Sequence, residues 1–150
     1  MADRMTLSRA LRYKKRVVET IRSLETDIQT NNSVVRGNER EVDIRSSLQK
    51  RNAWVKHLVD LKMAIQEATR PMQRMVLELA EAKSEISFWN KLDTNNGVKK
   101  DRYGYDNAEV LMEADVRKSE RDEKVKALQE KIDAYQTKLD DFNASTTIEV

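Results

Sequence analysis

At 150 residues and 17.5 kDa the chain is bounded to one domain, at most one domain with tails. Charged residues make up 36% of it and hydrophobic residues 39%, with three glycines, one proline and a formal net charge of +2. That is the composition of solvated, charge-laced helices rather than of a turn-rich β protein, and without cysteine there is no disulfide, thiolate chemistry or Cys-ligated zinc.

Thr6 can cap a first helix over about 6–30. Its apolar positions (Leu7, Leu11, Val17 and Ile21 among them) occupy one arc, and Arg9, Arg12, Lys15 and Arg16 the opposite one. Lys14 sits inside the apolar arc, where a cation either fixes register at a cost in stability or snorkels from the margin. A second helix is predicted over about 43–68, with Ile44, Leu48, Val55, Leu58, Leu61 and Ile65 at helical spacings. Thr69 is a candidate cap and Pro71 ends this helix or begins the next, so helices two and three read as a hairpin. The third helix, about 71–94, carries Met72, Met75, Val76, Leu79, Ala82, Ile86 and Trp89 and stops at Asn95-Asn96-Gly97.

Residues 93–108 are polar and aperiodic, the main loop. Alternation over 109–117 then reads as a strand, although a helix starting near Asn107 fits almost as well. Val34-Val35, the stretch around Val42 and residues 146–150 are the candidate strand partners. The last helix, about 119–143, is the clearest element. Val125, Leu128, Ile132, Tyr135, Leu139 and Phe142 step 3-4-3-4-3, a coiled-coil seam roughly 37 Å long. The expected architecture is all-α with minor β, an antiparallel helical bundle or coiled coil of about four helices in a single domain.

Charge is polarised along the chain. Residues 1–22 carry seven bases against two acids, and residues 106–150 twelve acids against seven bases. Ends of opposite sign favour an antiparallel or head-to-tail meeting, within one chain or between copies. Apolar runs do not exceed three residues, so no membrane span is expected. The opening MADRMTLSRALRYKKR has no signal-peptide pattern, and the expected location is cytoplasmic.

The order of TLSRAL (6–11), TNNSVVRG (30–37), LVDLKMAIQEAT (58–69), LAEAKSEISFWNKLDTNNG (79–97) and LDDFNASTTIEV (139–150) resembles the septicolysin-like family of small bacterial helical proteins. The match runs over nearly the whole chain and departs at Gln66 and Thr69, where members carry asparagine. The resemblance implies a helical fold and self-assembly. The family name also implies a membrane-active lysin, for which this chain has no alternating lipid-facing run of membrane length.

Catalytic chemistry finds no residues to stand on. His57, between Trp54 and Leu61, has no carboxylate or nucleophile patterned toward it. Glu120, Asp122 and Glu123, and Asp140-Asp141, lack the loop that wraps calcium. Glu78, Glu81 and Glu85 lack the Glu-x-x-His pairs of a di-metal bundle. Phosphate-binding and nucleophile-elbow motifs are missing too. No enzyme activity, cofactor or metal is therefore expected.

What remains is a homo-oligomeric structural or interaction protein. Its core or oligomer seam is assigned to Leu7, Leu11, Ile21, Val125, Leu128, Ile132, Tyr135, Leu139 and Phe142. Trp54, Phe88 and Trp89 are its core or interface anchors. The alternative is a nucleic-acid or ribosome partner met by the basic ridge of helix one, Arg9, Arg12, Lys15 and Arg16, with Tyr13 at its edge and Lys99, Lys100 and Arg102 as further bases.

Overall fold

The structure, a computed structural model, describes residues 3–100 and 109–150. In chain order the elements are β1 (Arg4–Thr6), α1 (Leu7–Asn31), α2 (Ile44–Thr69), a 3-10 turn (Arg70–Met72), α3 (Gln73–Lys91), β2 (Gly97–Lys100), β3 (Glu109–Met112), α4 (Lys118–Ser145) and β4 (Thr147–Glu149). The chain is thus mostly helical with two short antiparallel strand pairs. It divides into two compact units, one of Met1–Met72 with Asp140–Val150 and one of Gln73–Leu139.

In the first unit the Thr6 hydroxyl accepts from Arg9 N at 3.2 Å and starts α1, as its position predicts. Asp43 does the same for α2 through Ser46 N at 3.1 Å. The two helices run antiparallel, since Tyr13 meets His57 and Glu25 meets Arg51. Between them pack Leu7, Ala10, Val17 and Ile21 of α1, Leu61 and Ile65 of α2, and Ile148 of β4. Ala10 is fully buried, a small residue where the backbone comes close to its neighbours. Lys14 is half-buried at the margin of this stripe.

The ends of the chain are zipped together. β1 pairs with β4, with Arg4 opposite Glu149, Met5 opposite Ile148 and Thr6 opposite Thr147. Asp3 and Val150 exchange backbone hydrogen bonds at 3.2 and 3.0 Å, and Leu7 N donates to Thr146 O at 2.8 Å. The first and last residues described therefore meet inside one chain. β4 lies within the expected strand 146–150, but its partner is β1. Val34, Val35 and Val42 lie instead in the irregular α1–α2 loop, where Gly37 takes a φ of +93°.

Thr69 is not a cap. It is the last residue of α2, and its hydroxyl donates back to Ile65 O at 2.9 Å. Pro71 sits in the 3-10 turn that follows, so α3 starts two residues later than predicted and also ends earlier, at Lys91.

In the second unit Asp93 Oδ1 accepts from Asn95 N at 2.9 Å, and Gly97, at φ +105°, turns the chain into β2. β2 pairs with β3, Val98 opposite Leu111 and Lys100 opposite Glu109. The strand at 97–100 falls within the span predicted as loop, and the strand predicted over 109–117 is limited to 109–112. The remainder of the predicted loop, 101–108, and Arg102 with it, lies outside the described residues, as does the start of the alternative helix near Asn107. Among the described residues of this unit the buried ones are Leu79 and Ala82 of α3 and Ile132 and Leu139 of α4. No helix among the described residues is long and apolar enough to cross a membrane.

Candidate interaction surfaces

The heptad seams point inward. Leu7 and Ile21 belong to the core of the first unit, and Leu11 and Phe142 pack half-buried against it. In the second unit Ile132 and Leu139 are buried, while Val125, Leu128, Tyr135 and Trp89 are half-buried.

The carboxylates singled out on α3 serve different partners. The Tyr135 hydroxyl donates to Glu78 Oε2 at 2.9 Å and Arg74 Nε donates to Glu78 Oε1 at 2.9 Å. Those hydrogen bonds, Tyr135's first, hold the Glu78 carboxyl below its usual range, and the same carboxylate pushes the Tyr135 phenol up. Glu85 accepts from Trp89 Nε1 at 3.3 Å.

The outer face of α3 is a surface the sequence reading misses. Val76 is expected there on the inward stripe but is 47% exposed, Leu77 is 60% exposed, and Phe88, given as a core or interface anchor, is 59% exposed and so no part of this chain's core. These three share an arc of about 120° with Gln73, Ala80, Ser84 and Ser87, opposite the buried Leu79 and Ala82. From Gln73 to Phe88 that arc holds no charged residue, in a chain whose residues are 36% charged. A solvated helix face normally carries charge; this one carries two small hydroxyls, an alanine and three large apolar side chains. The missing signal was this absence of charge, visible only once the inward arc is fixed. On one margin of the stripe stand Arg74 near the N-terminal end and Glu81 and Glu85 toward the C-terminal end. The β2–β3 ribbon adds exposed apolar side chains, with Val98 67% and Leu111 77% exposed directly opposite each other.

The basic ridge of α1 lies on the first unit. Arg9, Arg12, Lys15 and Arg16 are all exposed and line one shallow depression of about 540 Å³. None of the four pairs with an acid among the described residues. Beside the ridge lies an aromatic cluster joined across the two helices. The Tyr13 hydroxyl and His57 Nε2 are 3.0 Å apart, and the Trp54 and His57 rings meet edge to face with centroids 5.8 Å apart. His57 is thus held among ring neighbours, and among the described residues no carboxylate orients it.

No protein-family model, no curated protein and no solved structure matches this chain, so its surfaces must be read from their own chemistry.

Proposed function

We propose that this is a non-enzymatic helical structural protein that works as a homo-oligomer in the cytoplasm, two copies pairing through the outer face of α3. The observation that carries this reading is the exposed arc from Gln73 to Phe88, uncharged along its length and bearing Val76, Leu77 and Phe88. Ala80, Ser84 and Ser87 along it would let a second helix approach closely, and burying the large side chains contributes about 25 cal/mol per Å² removed from water. The occupant is a second copy because the margin charges are self-complementary. In an antiparallel pairing about Ala80 the same margin of each helix meets its twin, so Arg74 of each copy faces Glu85 of the other. A parallel pairing sets this margin beside the opposite one, which carries Lys83 and no acid to meet Arg74. Helices from two chains would then complete the antiparallel bundle. The resemblance to septicolysin-like proteins agrees with self-assembly; membrane activity has no comparable support in the geometry.

The test is the mass in solution. The wild-type chain at about 100 µM should sediment as a multiple of 17.5 kDa. Leu77→Glu with Phe88→Glu should return it to a single-chain mass at unchanged helicity, since both sites are exposed. Arg74→Glu should weaken the assembly and Arg74→Glu with Glu85→Arg restore it. A wild-type chain that stays monomeric at that concentration sinks the proposal.

A further inference from the structure

The first unit carries a second surface that self-assembly through α3 does not use. Three concavities run together there. One of about 340 Å³ is lined by Tyr13, Lys50, Ala53, Trp54 and His57. The second, of about 240 Å³, shares Tyr13 and His57 with it and adds Arg9 and Arg16 on one side and Asp3, Met5 and Val150 on the other. The third, of about 540 Å³, is the basic depression described above, which shares Arg9 and Arg16 with the second. A partly exposed aromatic cluster is therefore continuous with an exposed ridge of bases that pair with no acid among the described residues. From the sequence the arginines and Tyr13 are visible on one helix; that α2 brings Trp54, His57 and Lys50 against them is a product of the fold.

Each half of this surface has a defined chemistry. Three of the four ridge bases are arginines, whose planar fork of donors suits phosphate oxygens. From Arg9 to Arg16 the helix rises about 10 Å, a line of cations rather than a point. The aromatic half offers π-faces held in place. Trp54 packs on the core while lining the groove, Tyr13 is tied to His57, and the Arg16 guanidinium lies 5.7 Å from the centre of the Tyr13 ring. An acidic peptide would satisfy the arginines and leave the aromatic groove empty. A ligand that alternates phosphates with flat aromatic bases satisfies both, and its bases must be unpaired to reach a ring.

We propose that the surface formed by Arg9, Arg12, Lys15 and Arg16 with Tyr13, Trp54, His57 and Lys50 binds single-stranded nucleic acid, with a base in the Trp54 groove. The phosphates are placed along the Arg12 and Lys15 side of the α1 ridge, away from Asp3. The ligand is met through backbone charge and stacking, so binding tolerates sequence and depends on salt.

The experiment follows a fluorescently labelled 12-mer oligouridylate by anisotropy against the full-length chain, from 50 to 200 mM salt. Binding should be measurable at 50 mM and fall with salt. Arg12→Gln with Arg16→Gln should reduce the steepness of that fall by about 1.4 in the log–log slope, at about 0.7 for each phosphate contact to a single strand. Trp54→Ala should weaken binding between about fivefold and a hundredfold, the range for loss of one stacked base. If Trp54→Ala loses helicity by circular dichroism, Lys50→Gln replaces it at the same groove and should weaken binding severalfold. No binding at 50 mM salt overturns the proposal. So does an unchanged salt slope in the arginine double variant. Equal affinity for a 12-bp duplex removes the aromatic role, and equal affinity for uridine monophosphate replaces the strand by a mononucleotide; either result overturns it as stated. The Leu77→Glu/Phe88→Glu chain serves as the control, and its binding should be unchanged.

Discussion

The two units are built from the same kind of helix and arrive at different packing. In the first, α1, α2 and β4 surround seven buried residues with a ring of half-buried ones, and the paired ends of the chain close it. In the second, four of the described residues are buried, while Val76, Leu77, Phe88, Val98, Val110 and Leu111 stand more than 40% exposed. Amphipathic helices with one apolar stripe each can finish a core alone; a helix with a second, opposite stripe cannot. α1 is the first kind, its outer face given to arginine and lysine. α3 is the second kind. The first unit also exposes Val35, Val59 and Met63, but its buried cluster is the larger, so the contrast is one of core size against apolar surface left over.

The largest effect expected is in the first core. Leu61 is 1% exposed, and Leu61→Ala should destabilise by about 2–5 kcal/mol in chemical denaturation. Leu128, half-buried on α4, should cost less than about 2 kcal/mol on the same change. Amide exchange would show the same ordering, slowest around Val17 and Leu61. Equal losses at Leu61 and Leu128 would erase the distinction between the units.

Much of the first unit was legible because its signals are local and periodic. Thr6 and Asp43 stand where a cap must stand, and the α1 stripe from Leu7 to Ile21 is interrupted only at Lys14. The α4 seam is equally plain, and its inward face follows from it. What the sequence could not carry was pairing at a distance. Met5 and Ile148 form a ribbon across nearly the whole chain, and three residues on each side are too short for an alternation to be seen. β2 has one apolar residue, Val98, and becomes a strand only because Leu111 lies opposite. The basic ridge was legible as a ridge; its aromatic flank was not, since nothing local to Trp54 and His57 on α2 says that Tyr13 of α1 lies beside them. On α3 both stripes are present in the sequence, and only burial decides which faces inward.

A smaller effect tests whether the units unfold together. Gly37 and Gly97 have φ of +93° and +105°, and at both an added Cβ would meet nothing within 4 Å. Alanine at either therefore costs backbone conformation alone, about 1–2 kcal/mol. If the chain unfolds in one step, Gly37→Ala and Gly97→Ala should lower the same thermal transition by similar amounts. If the units unfold separately, Gly37→Ala should shift only the transition of the first and Gly97→Ala only that of the second, resolved by following Trp54 and Trp89 fluorescence in single-tryptophan chains.

The smallest effect is electrostatic and belongs to the second unit. Glu78 is held below its usual value of 4.5 by hydrogen bonds from Tyr135 and then Arg74. A carboxyl depressed on folding contributes stability that is present above pH 4.5 and lost as pH falls through its lowered value. Tyr135 is raised above its usual 10.0 by the same bond, so the contribution is also present below that pH and lost as pH rises through the raised value. Tyr135→Phe keeps the ring and removes the hydroxyl. Its deficit against wild type should be largest between pH 5 and 9, and shrink toward zero at both extremes. Glu78 and Tyr135 both belong to the second unit, so a probe near Trp89 should report this pH profile. A deficit independent of pH would mean that the hydroxyl contributes only through packing and that the bond to Glu78 adds nothing.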